Sequence, residues 1–263
     1  MELNFKQFSE HGRPLLILHG LFGNLKNWNW HARELARDFA VYALDLRNHG
    51  ESPHSTSMDY QVMAADVLEF IERKSLAEAN ILGHSMGGKV AMQLALDVPE
   101  RVGRLLVADI APVAYSEERG DHENVFNGLL SVNLSSLQTR ADAETALATE
   151  VDEPAVRQFL VSNLVRDEKG GYRWRFNLPV LHENYDRLRE GIAATSEFGK
   201  PVLFVKGGRS NYIKKEDWSA IEQLFPRARI KTVMGAGHWL HAEKPQVFYK
   251  LAHDFFNSEE SEQ

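Results

Sequence analysis

The sequence predicts an α/β fold: a mostly parallel sheet with helices on both faces, and a helical cap inserted between two late strands. Two observations lead to this prediction. Short apolar runs alternate with amphipathic helical patterns along most of the 263 residues. Between residues 113 and 199 the strand rhythm stops and helical patterns follow one another, which is too long a stretch for a plain loop.

The predicted strands are continuous apolar runs, as a sheet that is buried on both faces requires. The first run, PLLILHG, ends at Gly20, and the second, AVYALDL, follows one helical pattern later. In order, the six runs cover residues 14–20, 40–46, 79–83, 104–112, 201–207 and 229–238. Helical periodicity covers residues 28–39, 60–71, 87–96 and 245–256. Because helices connect successive strands, most of the pairing is expected to be parallel.

The inserted segment contains helical patterns at residues 122–132, 140–151 and 154–165, followed by the aromatic-basic run YRWRF at residues 172–176. Open α/β sheets bind ligands at the carboxyl ends of their strands, and the insertion is expected to cover that edge. We therefore expect a core of residues 1–112 and 200–258, a cap of residues 113–199, and a disordered tail of residues 259–263.

Composition excludes several kinds of partner and chemistry. The formal net charge is −7 and the sequence contains no basic block, so a nucleic-acid partner is not expected. The absence of cysteine excludes disulfides, thiolate metal sites and a cysteine nucleophile. No apolar run approaches the ~20 residues that cross a bilayer. The N-terminal residues lack the apolar region of a secretory signal, and a cytoplasmic location is expected.

A possible nucleophile lies in the sequence Gly83-His84-Ser85-Met86-Gly87, which fits the pattern G-x-S-x-G. A buried strand precedes Ser85 and a helix follows it, which is the setting that this pattern requires. The glycines allow a sharp turn that would expose the serine hydroxyl at a helix N-terminus, where N–H groups favour negative charge. Serine is a weak nucleophile at neutral pH, so a neighbouring base is needed.

The expected base is a histidine on a late loop, because the chain order in such sites is Ser, acid, His. His238 lies in GAGHWLHAEKP, after the last predicted strand, on a glycine-rich approach. His241 lies nearer the final helix and is expected to line the wall of the site or to contact the cap. Histidines occur at 19, 49, 84, 238 and 241, but their spacing and the lack of supporting carboxylates do not predict a metal site.

Several longer motifs make the sequence similar to the α/β-hydrolases with a helical cap, from about Pro14 to Phe256. These motifs are HGLFG after the first predicted strand, DLRNHGES after the second, GHSMGGK around Ser85, DIAPV, WRFN and GAGHWLHAEKP. In particular, the chain resembles the bacterial YbfF-type esterases and their mitochondrial relatives. This resemblance implies a serine carboxylesterase that needs no cofactor and acts on esters of short to medium acyl groups. It leaves thioesters such as acyl-CoA open as further substrates.

The acid of the expected triad departs from the family's common pattern. Many α/β-hydrolases carry it in a G-x-x-D turn after the strand predicted at 201–207, but this chain has Ser210 at that position. Asp109, at the end of the strand that follows the nucleophile's helix, resembles a family variant with the acid one strand earlier. It is expected to orient His238. Glu216 and Asp217 are alternatives on a predicted surface helix.

The resemblance also implies an oxyanion hole and a set of substrate contacts. The backbone N–H groups of Met86 and Leu21 are expected to stabilise the oxyanion, with the N–H of Phe22 as the second choice for the latter. Besides these, the residues expected to contact the substrate are Phe22, His84, Trp239 and Trp174. For His19 and His84, positions that flank the site, the resemblance favours a structural role in bracing the loops by hydrogen bonding.

The reaction class stays open at this point. Ester hydrolysis through an acyl-enzyme on Ser85 is the expected function. A C–C bond hydrolase or a lyase on the same scaffold is an alternative, because a triad does not reveal the leaving group. A ligand-binding protein with vestigial turnover is another.

Overall fold

The computed structural model describes residues 1–116, 122–168, 170–192, 194 and 196–258. The strands in these residues are β1 (Phe5–Gln7), β2 (Arg13–Leu18), β3 (Phe39–Leu44), β4 (Ala79–His84), β5 (Val102–Ala108), β6 (Leu164–Arg166), β7 (Tyr172–Trp174), β8 (Val202–Gly207) and β9 (Ala228–Val233). The helices are α1 (Asn29–Leu35), α2 (Tyr60–Arg73), α3 (Met86–Asp97), α4 (Glu123–Ser131), α5 (Arg140–Leu147), α6 (Pro154–Val161), α7 (Leu178–Glu183), α8 (Tyr185–Arg189), α9 (Trp218–Leu224), α10 (Leu240–Glu243) and α11 (Pro245–Asn257).

Within the described residues, one seven-stranded sheet has the order β1-β3-β2-β4-β5-β8-β9. Every neighbouring pair is parallel except β1 and β3. The predicted α/β fold with a mostly parallel sheet is confirmed. Strand β1 was not predicted, because its three partly exposed residues carry Lys6 in the middle and form no apolar run.

Two apolar cores lie on the two faces of this sheet. Successive residues of β2 alternate between them: Leu15 and Ile17 pack with α1 and α11, and Leu16 and Leu18 pack with α2 and α3. Because successive side chains of a strand point to opposite faces, a strand with helices on both sides must be apolar throughout. This requirement is the physical basis of the continuous runs in the sequence.

The last strand is shorter than the predicted segment of residues 229–238. Strand β9 ends at Val233, and the chain then turns through Gly235, whose φ of +72° favours glycine. Residues 234–239 consequently form a loop at the carboxyl edge of the sheet rather than a continuation of the strand. This loop carries His238.

The inserted segment contains helices α4 to α8 and also a small antiparallel hairpin of β6 and β7. The helix predicted over residues 154–165 ends at Val161, and Leu164 begins β6, where it lies opposite Trp174 of β7. Gly170 has a φ of +84°, which permits the reversal of the chain between the two strands. The YRWRF run is thus largely strand, because its partner strand satisfies its backbone.

Hydrogen bonds join the insertion to the core at its neck. Ile192 N–H donates to Pro112 O at 2.9 Å, so the two ends of the insertion lie side by side. We propose that the cap comprises residues 113–199, as the sequence predicts. The predicted disordered tail, residues 259–263, lies outside the described residues. Among the described helices, none is both long enough and apolar enough to cross a membrane.

Candidate active site

Ser85 lies on a sharp turn between β4 and α3, with φ of +52° and ψ of −119°. Such a conformation is strained for a residue with a side chain and is found where the surrounding structure enforces it. The flanking glycines enforce it here by letting backbones touch. A Cβ at Gly83 would lie 2.3 Å from Gly87 O, and one at Gly87 would lie 2.5 Å from the carbonyl oxygens of Leu18 and His19.

His238 lies between Ser85 and Asp109. Its Nε2 is 3.0 Å from Ser85 Oγ, and its Nδ1 is 2.8 Å from Asp109 Oδ2. The Tyr212 ring stacks on the imidazole, with the centroids 4.0 Å apart and the planes 24° apart. This contact holds the ring in the plane in which both nitrogens reach their partners.

Asp109 follows β5 and is completely buried. Its Oδ1 accepts the Gly207 N–H at 2.9 Å, and its Oδ2 accepts both the His238 Nδ1–H and the hydroxyl of Ser210. Ser210, which stands where the family's common pattern has the acid, is therefore a hydrogen-bond donor to the acid. These donors fix both carboxylate oxygens.

The alternative acids lie elsewhere. Asp217 Oδ2 accepts the Lys214 N–H at 2.7 Å at the beginning of a 3-10 turn, and Glu216 pairs with the Lys214 ammonium across 3.9 Å. Of the three carboxylates considered from the sequence, the structure brings Asp109 to His238.

Two backbone N–H groups close to Ser85 have no protein acceptor among the described residues. The N–H of Phe22 donates to His49 Nε2 at 3.1 Å, so this group is already occupied. In the described part of the chain, the N–H groups of Leu21 and Met86 donate to no other protein group. The geometry thus favours Leu21 over Phe22 as the partner of Met86 in an oxyanion hole.

Buried neutral histidines brace the loops around Ser85. His19 donates from Nδ1 to Gly20 O and accepts the Leu46 N–H at Nε2. His49 accepts from Phe22 N–H and donates to Arg47 O at 2.9 Å. Burial lowers the pKa of His19 to about 4 and, with a smaller contribution from neighbouring His19, that of His49 to about 3. Each ring therefore has one donor and one acceptor near neutral pH, and each uses both.

His84 and His241 are two further buried histidines, and the ring of His84 contacts both His238 and His241. His84 Nε2–H donates to His238 O at 2.9 Å, and burial lowers the pKa of His84 to about 3. His241 stacks on Trp28 with ring centroids 4.4 Å apart, and burial lowers its pKa well below the ordinary value. His84 therefore supports the backbone of the loop that carries His238, and also lines the cavity described next.

A cavity of about 380 Å³ opens beside Ser85. Three of the four residues predicted to contact the substrate line it, namely Phe22, His84 and Trp239. Trp174 is not among the lining residues; its ring is buried and stacks on Phe176 at 5.6 Å, and Phe176 in turn packs on Phe22. A direct contact of Trp174 with the substrate therefore stays a prediction; in the structure its ring packs in the cap against Phe176.

The sequence did not single out the residues that the cap contributes to this cavity. They are His122, Val125, Ala155, Val156, Phe159 and Leu160. In the sequence they are ordinary members of amphipathic helices, and helical periodicity does not tell a cavity wall from core packing.

A second, smaller cavity of about 40 Å³ also adjoins Ser85. It shares Leu21, Ser85 and His122 with the large cavity. Its other lining residues are Tyr60, Met86, Ile110, Tyr115, Tyr185, Leu188, Arg189 and Tyr212. Within the described residues, no group of three or more His, Asp or Glu side chains is arranged to hold a metal ion.

The comparisons with known proteins agree with this fold. The family described as alpha/beta hydrolase fold matches residues 13–245. The chain is 36% identical to esterase YbfF of Escherichia coli over 261 residues, which cover 98% of this chain and 100% of that protein. It is 38% identical to the mouse sn-1-specific diacylglycerol lipase ABHD11, with 92% of this chain and 80% of that protein covered. A solved structure described as a marine microorganism esterase is 42% identical, with a TM-score of 0.95 and 97% of this chain and 99% of that chain covered. The chain belongs to the α/β-hydrolase family.

Proposed function

We propose that this chain is a serine carboxylesterase that cleaves small-molecule esters through an acyl-enzyme on Ser85. The observation that supports this function most is the continuous series of hydrogen bonds from Asp109 through His238 to Ser85, beside two N–H groups without protein acceptors. Esterase relatives that cover nearly the whole chain support the same reaction class.

In the proposed acylation, Ser85 Oγ attacks the ester carbonyl carbon while His238 Nε2 accepts the hydroxyl proton. The carbonyl oxygen becomes an oxyanion that accepts from the N–H groups of Met86 and Leu21. Because neither donor has a protein acceptor in the described structure, little reorganisation is needed for them to bind it. Asp109 keeps the proton of the neutral imidazole on Nδ1 and stabilises the imidazolium that forms.

The breakdown of the intermediate uses the same proton. His238 Nε2–H donates it to the ester oxygen as the C–O bond breaks, and the alcohol leaves. Water then enters, His238 accepts a proton from it, and the resulting hydroxide attacks the acyl carbon. The second intermediate collapses to release the carboxylic acid, and the proton returns to Ser85 Oγ.

The test is hydrolysis of p-nitrophenyl esters from acetate to palmitate by the wild type, Ser85→Ala and a matched control, Ser219→Ala, on the exposed surface of α9. We expect turnover by the wild type and the control, and its loss in Ser85→Ala. A fluorophosphonate should label the wild type once, with the added mass on the peptide that contains Ser85. An unlabelled protein without ester turnover would leave a C–C hydrolase, a lyase or a binding protein as the better description.

Two narrower expectations stay predictions. Thioester cleavage is tested by adding acyl-CoA substrates to the same comparison of wild type and Ser85→Ala. A cytoplasmic location is tested by fractionation of the cells that make the protein.

A further inference from the structure

The two cavities beside Ser85 differ almost tenfold in volume, about 380 Å³ against about 40 Å³. They meet at Leu21 and Ser85, which line both. An ester bound at Ser85 has two arms, the acyl chain and the alcohol. If each arm enters its own cavity, their assignment fixes the substrate class.

The position of His238 distinguishes the two arms. The imidazole donates a proton to the departing ester oxygen, so the alcohol must leave on the side that His238 faces. Among the described residues, His238 and the following Trp239 line the large cavity, and neither lines the small one. Tyr212, which stacks on His238 at 4.0 Å, lines the small cavity instead. The alcohol therefore belongs to the large cavity, and the acyl chain to the small one.

The walls of the small cavity are rings whose polar ends are bonded elsewhere. The Tyr60 hydroxyl of α2 donates to Leu188 O of α8, and the Tyr115 hydroxyl donates to Tyr212 O at 2.6 Å. Met86 and Leu188 are apolar and nearly buried. The cavity thus presents mostly apolar surface, although His122 and Arg189 also line it, and its hydrogen bonds join core to cap, which opposes widening.

The volume of the small cavity sets a limit on the acyl chain. A water-sized group needs about 10–15 Å³ of such volume, so the cavity has room for about three groups beyond the carbonyl carbon. The large cavity lies in the range of small-molecule sites, about 300–1,000 Å³. Apolar side chains form much of its wall, including Trp28, Phe159 and Leu160.

We propose that the small cavity is the acyl site and the large cavity the alcohol site, so that the preferred substrates are esters of short acyl chains, of about two to four carbons, with larger apolar alcohols. This inference rests on the proposed esterase function and narrows its substrate class. Substrate orientation follows from which cavity His238 lines, and acyl length from the volume of the small cavity.

Isomeric esters test the assignment without a change in composition or polarity. Hexyl acetate and ethyl hexanoate share one molecular formula but place the long arm on opposite sides of the carbonyl. We expect kcat/KM, measured by pH-stat titration and corrected for alkaline hydrolysis rates, to be at least tenfold higher for hexyl acetate. A preference for ethyl hexanoate, or equal rates within threefold, would overturn the assignment.

p-Nitrophenyl acetate separates failure of this inference from failure of the proposed function. If the enzyme cleaves it but neither alkyl ester, the proposed apolar alcohol site is wrong while the esterase function stands. If none of the three is cleaved, the esterase function itself fails.

Two buried cap leucines provide a matched pair of variants. Leu188→Ala enlarges the small cavity, and we expect it to raise the ratio of kcat/KM for ethyl hexanoate over hexyl acetate at least tenfold. Leu160→Ala enlarges the large cavity, and we expect it to extend the range of alcohols whose esters are cleaved. The dependence of kcat/KM on acyl length should stay within threefold of the wild type. If Leu160→Ala, rather than Leu188→Ala, raises kcat/KM for esters of longer acyl chains, the proposed orientation is reversed. Should either variant not fold, the wild-type isomer pair still decides.

Discussion

Asp109→Asn is the substitution that tests the candidate triad most directly. It keeps the size of the side chain and replaces one carboxylate oxygen by an NH₂ group. The surroundings determine which way the new amide points. Gly207 N–H donates to the Oδ1 position at 2.9 Å, so the asparagine oxygen is held there and its Nδ2 faces His238.

This orientation forces the wrong tautomer on His238. The asparagine Nδ2 donates and cannot accept, so His238 Nδ1 must become an acceptor and the ring proton moves to Nε2. The Nε2–H then points at Ser85 Oγ, 3.0 Å away, and cannot accept the hydroxyl proton. A wrong tautomer in a Ser-His-Asp triad lowers kcat by about 10⁴-fold, which corresponds to about 5.4 kcal/mol in the activation free energy.

The assay is steady-state hydrolysis of p-nitrophenyl acetate at pH 7.5, with thermal unfolding measured alongside. Asp217→Asn is the control, since it changes another buried acid, which accepts the Lys214 N–H. We expect its kcat within threefold of the wild type. More than a tenth of the wild-type kcat in a folded Asp109→Asn would refute the role of Asp109.

Three further predictions concern the surroundings of the triad. Ser210→Ala removes a hydrogen bond to Asp109. We expect kcat to fall about five- to tenfold with KM little changed. An unchanged kcat would show that this hydrogen bond does not contribute to catalysis. Asn163→Ala removes the bonds of a buried side chain to Phe22 O and Asn24 Nδ2, both 2.8 Å. Urea titration should show that the free energy of unfolding decreases by about 2–4 kcal/mol. For the control Asn257→Ala, at an exposed position, the decrease should be about 0.5 kcal/mol or less. Burial lowers the pKa of His19 to about 4 and that of His84 to about 3, from 6.5. The unfolded chain therefore binds more protons than the folded one as the pH falls below 6.5. The free energy of unfolding should then decrease from pH 7 to pH 5, by up to about 1.4 kcal/mol per pH unit for each histidine. Equal stability at both pH values would contradict burial of these histidines in the neutral form.

The sequence predicts those parts of the fold and candidate site that depend on local pattern. The runs that form β2, β3, β4, β5 and β8 are recognisable because a strand covered on both faces must be apolar at each position. Ser85 is recognisable because its turn requires glycines at fixed spacing. For His238 the signal is its place after the last strand.

Other features depend on distant contacts, for which the sequence has no local signal. Strand β1 exists because the edge of β3 offers it unpaired backbone groups, not because its three residues are apolar. Trp174 looks like a ligand contact in an aromatic-basic run, yet its ring stacks on Phe176 and is not among the residues that line the large cavity. The small cavity depends on Tyr60 meeting Leu188, 128 positions later. Such contacts follow from how the cap lies on the core.

The acid shows how distant contacts can replace a local motif. Ser210, in place of an acid in the turn after β8, breaks the common pattern, and Asp109 lies at the end of the neighbouring strand, β5. Because β5 and β8 are adjacent and parallel, their carboxyl ends lie side by side at one edge. A carboxylate on either can therefore reach the same imidazole. The turn after β8 keeps a part in the arrangement, since Gly207 N–H and the Ser210 hydroxyl both donate to Asp109. With the candidate acid at the end of β5 rather than in the turn after β8, a carboxylate still reaches His238, and Ser210 supports that carboxylate with a hydrogen bond.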